Sequence, residues 1–225
     1  MSTLILIRHG QAAFGADNYD QLTGLGRAQA AATGRWLQRY RGKSLTLLHG
    51  PRQRHIETAR EILRAAQLML DPQQQAELDE FGEGEEILSA AEQLCGHPLL
   101  GPDAPQRRVQ LQQYDRAISA WTEGRLDFPG RLSYAEFRRA AAGWLRGLTT
   151  DPGLPGGSRI VAVTSAGVIC AAVCEVLGLA STAWHPLLRG LQNASITEIA
   201  FTTGRCGLRS FNAAGHLPAE LESGI

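Results

Sequence analysis

The first regularity along the chain is a short apolar, β-favouring block, Thr3 to Ile7, that stops on Arg8-His9-Gly10. Consecutive apolar residues without alternation predict a strand buried on both faces. A polar, glycine-containing stretch follows from Gly10 to Leu22. Thr23 reads as an N-cap, and Leu25, Ala28, Ala32, Trp36 and Tyr40 step by three and four as one helical face does. Leu45 to Leu48 predicts a second short strand. Gly50-Pro51 predicts the start of another helix, with proline in its first position and Ile56, Ala59 and Leu63 on its buried face. The pattern resumes with a strand over Ile160 to Thr164 and a helix from Ala166 to Leu177, ending at Gly178. Ser195 to Phe201 and Cys206 to Phe211 predict two further strands. Alternating strands and helices imply an α/β fold with a parallel sheet.

The middle of the chain breaks this rhythm. From about residue 68 to 131 it is richer in Gln, Glu, Gly and Pro, with helical patches around Ile87 to Leu94 and Val109 to Trp121. This segment reads as an insertion packed over the sheet, within a single domain spanning residues 1–225. Ser133-Tyr134-Ala135-Glu136 has capping-box form and predicts a helix to about Leu148.

Composition narrows the class. The 225 residues are 44% hydrophobic and 20% charged, as in an ordinary soluble domain. Lys+Arg and Asp+Glu both total 22, so no basic excess points to nucleic acid. Cys95, Cys170, Cys174 and Cys206 form no C-x-x-C pair, and no disulfide framework is expected. Leu4 to Ile7 is too short for a signal peptide, and no run reaches membrane-spanning length. The expectation is a cytoplasmic protein with no membrane partner.

Candidate chemistry collects at strand ends. In an open parallel sheet, ligands bind beyond the carboxyl ends of the strands. Three predicted strands end on Arg8-His9-Gly10, on Gly50-Pro51-Arg52-Gln53-Arg54 and on Thr164-Ser165-Ala166-Gly167. If these strands are neighbours, arginines, a histidine, a hydroxyl and helix N-terminal N–H groups share one crevice, which suits phosphate. A neutral imidazole can attack phosphorus, and arginines can spread the charge on the phosphoryl oxygens. Glu80, in "ELDEFGEGEE", is a candidate proton donor to the leaving group. Taken singly, each feature has a plainer reading: a surface turn, a solvated first helical turn, a solvated acidic loop.

Together the segments resemble a known family. "LILIRHGQAAFG" is similar to the opening of the histidine phosphatase superfamily, which includes the cofactor-dependent phosphoglycerate mutases. "LTGLGRAQA", "GPRQRHIETA", "LDEFGEG", "IVAVTSAGVI", "LQNASITEI" and "FNAAGHL" resemble further segments of that family, in order along nearly the whole chain. The resemblance implies a three-layer α/β/α sandwich with a mostly parallel central sheet and a helical insertion over the strand C-terminal ends. It implies His9 as phosphoryl acceptor, Arg8 and Arg54 as phosphate clamps, Glu80 as proton donor, and no metal or cofactor. Ser165 and Ala166 fall at the family's phosphate-binding turn. The loop from Gln11 to Thr23 would reach the phosphate or the substrate.

One departure stands out. The family places a second histidine where this chain has Ser165. Serine offers a shorter donor and no charge, and losing one charge-assisted donor costs about 2–4 kcal/mol of transition-state stabilisation. His49 and His55 are the nearest replacements in sequence, each also read as a surface or supporting residue; His185 and His216 are more remote candidates, and His97 reads as a surface residue. Gly50 and His55 also depart from the family's usual serine and alanine. The expected function is a phosphomonoester hydrolase acting on a phosphorylated small molecule through phospho-His9, whose activity the uncharged donor at Ser165 would reduce. The alternative is a catalytically weak phosphate-binding or regulatory protein. A mutase ranks lower, because Asp79, Glu83, Glu85 and Glu86 would repel a multiply charged substrate. Trp184 fits either the core or an interface, and the oligomeric state is left open.

Overall fold

The computed structural model describes residues 1–13 and 20–224. Its strands are β1 (Ser2–Arg8), β2 (Leu45–His49), β3 (Gln73–Gln74), β4 (Arg159–Thr164), β5 (Ile196–Thr202) and β6 (Arg205–Ala213). Its helices are α1 (Gly24–Leu37), α2 (Gln53–Ala66), α3 (Gly84–Cys95), α4 (Arg107–Thr122), α5 (Tyr134–Thr150), α6 (Ala166–Leu177) and α7 (Trp184–Arg189). The sheet order is β3-β2-β4-β1-β5-β6. The first four strands run parallel, β5 runs antiparallel to β1, and β6 antiparallel to β5. The fold is the expected α/β sandwich with a mostly parallel sheet.

β1 has no solvent face. Leu4 and Leu6 join a core packed with α5 and α6, whereas Ile5 and Ile7 join a second core packed with α1 and α2. β4 divides the same way, Ile160 and Ala162 to one side, Val161 and Val163 to the other. A strand covered by helices on both faces must be apolar throughout, which explains the unalternating runs. Burying each such side chain contributes about 1.5–3 kcal/mol.

Helix ends follow their capping residues. The Thr23 hydroxyl accepts from Gly26 N at 3.0 Å, Ser133 forms a capping box with Glu136, and Gly178 closes α6 at φ 62°. Two expectations need correction. α2 starts at Gln53 with Arg52 as N-cap, so Pro51 precedes the helix. The buried faces of α1 and α2 are also rotated from the apolar stripes. α1 buries Gly26, Gln29, Ala30, Ala32, Thr33, Gly34 and Leu37, and α2 buries Arg54, His55, Thr58, Ala59, Ile62 and Ala66, so Ala32 and Ala59 are the residues of the expected stripes that are fully buried. The two helices meet through small and hydrogen-bonded residues, leaving Trp36, Ile56 and Leu63 only half-buried.

Residues 68–131 supply the edge strand β3, too short for any periodicity to show, and helices α3 and α4. Beneath them lies an aromatic cluster. Phe81 stacks on Trp121 at 5.0 Å and meets Trp184 edge-on at 5.2 Å, with Phe128, Tyr134 and Phe137 around them. Trp184 is fully buried, which places it in the core. Cys170 and Cys174 are buried free thiols. Among the described residues no helix is long and apolar enough to cross a membrane.

Trp121 and Trp184 are the largest fully buried side chains of this cluster. Trp121→Ala is expected to lose about 3–5 kcal/mol of unfolding free energy, read as a lowered urea midpoint.

Candidate active site

β2, β4 and β1 are adjacent and parallel, so their carboxyl ends lie side by side: Arg8 pairs with Thr164, and His49 with Val163. A cavity of about 360 Å³ opens there. Its wall includes Arg8, His9, Gln11, Thr23, Arg54, Glu80 and Ala166. Every predicted site residue except Ser165 therefore reaches one cavity. The opposite wall comes from α4 through Arg107, Gln110 and Tyr114, with Asn193 nearby. The sequence reading named none of these four. Residues 14–19 of the expected substrate loop lie outside the described residues.

His9 is positioned by its own backbone. His9 N donates to Thr164 O at 2.9 Å, extending the β1–β4 ladder by one residue. Its ring Nδ1 lies 2.7 Å from Gly10 O. A carbonyl can only accept, so Nδ1 carries the proton and Nε2 keeps its lone pair. Burial holds the ring well below the ordinary histidine range, and the Arg54 and Arg8 guanidinium groups push it further down. Gly10 in turn lies against α1, where a Cβ would fall 2.3 Å from Gly26 O.

Two motif residues hold this loop. The Thr58 hydroxyl accepts from Gly10 N at 3.1 Å and donates to Arg54 O at 2.7 Å. Gln29 Oε1 accepts from Gln11 N at 2.8 Å, while its amide donates to Leu221 O and Ser223 Oγ. Both belong to the segments that carry the family resemblance, yet neither had been assigned a role.

The two arginines are anchored differently. Arg8 is 8% exposed, and its Nη1 donates to Leu191 O. Arg54 is 2% exposed, and its Nη1 donates to Asp20 Oδ1 at 2.9 Å and to Glu83 Oε2 at 2.9 Å. Neither carboxylate partner was foreseen, because pairing across 29 and 34 residues leaves no local pattern. Arg52 turns away to Asp79 and Glu83. Glu86 pairs with Arg131 and Glu85 is exposed, so the acidic residues near Glu80 do not line the cavity.

Glu80 is fixed by its neighbour Phe81, locked in the aromatic cluster, and by two N–H donors. Phe81 N donates to Oε1 at 3.1 Å and Gly167 N to Oε2 at 3.3 Å. Gly167 permits this approach: a Cβ there would fall 2.3 Å from Glu80 Oε1. Burial raises the carboxyl to about 7, against the opposing pull of the two N–H bonds and of Arg54 and Arg8. An acid near 7 is matched to proton transfer at neutral pH.

Ser165 lies behind the wall. It is fully buried, and its Oγ is 2.7 Å from Nε2 of His55, itself fully buried and therefore no surface residue. The His55 ring centroid is 5.6 Å from that of His9. His49 is tied to Gly50 O, His185 to Asp115 and His216 to Thr33, all off the cavity wall.

Fold and cavity define a class: an α/β protein whose strand ends gather a neutral imidazole, two guanidinium groups and a near-neutral carboxyl. The chain belongs to the histidine phosphatase superfamily (branch 1), whose sequence model matches residues 4–95 and 104–214. No curated protein sequence matches it. Among solved structures it is similar to Entamoeba histolytica phosphoserine phosphatase in complex with 3-phosphoglyceric acid. That match has TM-score 0.66 and 22% identity, covering 97% of this chain and 100% of the other. It is similar to mycobacterial glucosyl-3-phosphoglycerate phosphatase with VO3, at TM-score 0.66 and 23% identity over 94% and 99% of the two chains. It is also similar to Bacillus anthracis phosphoglycerate mutase, at TM-score 0.65 and 18% identity over 96% and 94%.

The buried histidines make stability fall with acid. His9 and His55 both sit well below the ordinary value, so the unfolded chain binds protons that the folded chain refuses. Below about pH 6.5 each costs up to about 1.4 kcal/mol per pH unit. Glu80, raised to about 7, acts in the opposite direction as pH falls from 7 toward 4.5. Urea unfolding from pH 7 to 5.5 should therefore show a net loss, and a non-titrating His55→Gln variant a smaller one.

Proposed function

We propose that this protein is a phosphomonoester hydrolase that works through a phosphohistidine on His9. The observation that carries the reading is the lone pair of His9 Nε2, facing a cavity that also holds Arg8, Arg54 and a carboxyl poised near 7. In the first step Nε2 attacks phosphorus and the ester P–O bond breaks. Protonated Glu80 gives its proton to the departing alkoxide. In the second step the Glu80 carboxylate takes a proton from water, whose oxygen attacks the phosphoryl group and releases His9. Arg8 and Arg54 counter the charge on the phosphoryl oxygens, and the N-terminal end of α6 borders the same cavity through Ala166. The substrate is a phosphorylated small molecule, by the cavity's size and by the likeness to phosphatases of such compounds.

A weak or non-catalytic phosphate-binding role has one observation in its favour. Ser165 supplies no charge, and its hydroxyl is turned to His55 rather than into the cavity. The objection to a mutase is weaker than the sequence suggested, because Asp79, Glu83 and Glu86 are paired with arginines. Transfer between phosphoglycerate isomers distinguishes that reading.

Incubation with p-nitrophenyl phosphate should leave acid-labile phosphate on the wild type and none on His9→Ala. Binding without turnover or labelling would mean a phosphate-binding protein instead. Glu80→Gln should lower kcat by about 10²–10⁴ and remove the alkaline limb near pH 7.

A further inference from the structure

His55 is a buried imidazole that the reaction above does not use. It is fully buried, and burial holds it neutral, with His9, Arg54, Arg52 and His49 adding to the effect. Its Nε2 is 2.7 Å from Ser165 Oγ, and its Nδ1 has no hydrogen-bond partner. A buried N–H without an acceptor is rare. Nδ1 is therefore the bare nitrogen, and Nε2–H donates to Ser165 Oγ. The chain makes room for this ring: a Cβ on Gly50 would fall 2.3 Å from His55 Nδ1 and 2.4 Å from Leu78 O.

Ser165 is the N-cap residue of α6, with extended backbone at φ −105° and ψ 169°. A serine there normally accepts from the second or third N–H of its helix. In α6 those belong to Gly167 and Val168. Ser165 makes no such cap bond. The Gly167 N–H goes to Glu80 Oε2 instead. The serine hydroxyl and the glutamate carboxylate are thus rival acceptors for one donor, and His55 holds the hydroxyl out of the contest.

We propose that His55 is a positioning residue: by holding the Ser165 hydroxyl it reserves the Gly167 N–H for Glu80 and so fixes the group that moves the proton. This rests on the hydrolase reading for its catalytic meaning, but its geometry can be tested without turnover. The charged and titratable groups facing Glu80 are Arg8 from β1, Arg54 from α2 and Cys170 from α6, and His9 together with Arg107 and Tyr114 of α4 shares its cavity. None is altered by the variants below.

The readout is the carbon-13 titration of the Glu80 carboxyl in the full chain, assigned with Glu80→Gln. The wild-type midpoint is expected at about 7. His55→Leu keeps the volume and removes the donor. The freed Ser165 hydroxyl then takes the Gly167 N–H, and the carboxylate loses a bond that favours its charged form. The midpoint should rise by about one pH unit. His55→Gln restores a donor and should return it toward the wild-type value. In His55→Leu/Ser165→Ala no rival acceptor remains, so the midpoint should also return. His55→Met, a second side chain of similar volume without a donor, should mimic His55→Leu, which covers failure of the latter to fold. An unchanged midpoint in His55→Leu, or an identical rise in the double variant, overturns the proposal. Wild type that fails to hydrolyse p-nitrophenyl phosphate sinks the hydrolase reading alone, leaving these midpoints to judge His55. Where hydrolysis is present, the alkaline limb of kcat should follow the midpoint to higher pH in His55→Leu, with KM unchanged.

Discussion

The hydrogen bond from His9 Nδ1 to the Gly10 carbonyl decides which nitrogen meets the cavity, and much of the surrounding structure serves to keep it. The bond fixes the tautomer only while the ring stays neutral. Burial, Arg54 and Arg8 all favour neutrality. It fixes direction only while Gly10 stays in place. Thr58, the β1–β4 ladder and the contact with Gly26 pin that residue from three sides. An imidazole held this way needs no carboxylate beside it to orient the ring, and the carboxylates near the cavity are placed elsewhere.

That charge sits on the arginine side. Arg54 is almost completely buried, and an unpaired guanidinium there would carry a heavy desolvation penalty. Asp20 and Glu83 share its Nη1, Arg52 shares Glu83, and Asp79 takes the rest of Arg52. Much of the acidic segment after Leu78 is therefore a counter-charge for Arg52 and Arg54 at the start of α2, whereas Glu80 alone of that run faces the cavity without an ion-pair partner among the described residues. Burial raises this one carboxyl to about 7, while Asp79, Glu83 and Glu86 are drawn into salt bridges. Two environments a few residues apart thus hold carboxyls of the same segment in different states.

The sequence made some of this visible and hid the rest for definable reasons. α6 was readable to the residue, because an apolar run buried on all sides ends on a glycine with positive φ. The convergence of three strand ends followed from the parallel order. α1 and α2 were found, but their buried faces were misread. Apolar periodicity tracks where hydrophobic residues recur, and these helices meet through Gly26, Gln29, Thr33, His55 and Thr58. β3 is two residues long and carries no period. Asp20, Glu83 and the α4 residues on the cavity wall depend on tertiary placement alone. Thr58 and Gln29 lay inside recognised segments, yet a motif gives positions without saying which side chain holds which backbone.

The departures from the family pattern, Gly50, His55 and Ser165, looked independent along the chain. In space they are one unit: the glycine clears the space that the imidazole fills, and the imidazole holds the serine. Ser165 and His55 are both fully buried and in direct contact, so the residues at these two positions are coupled by hydrogen bonding and by the space they share. What the unit lacks is a charged donor at 165. What it retains is the α6 N-terminus free of its own cap, and with it the N–H that reaches Glu80. On the role proposed for it above, the imidazole at 55 would act on the Glu80 carboxyl through the helix end rather than on a bound phosphate.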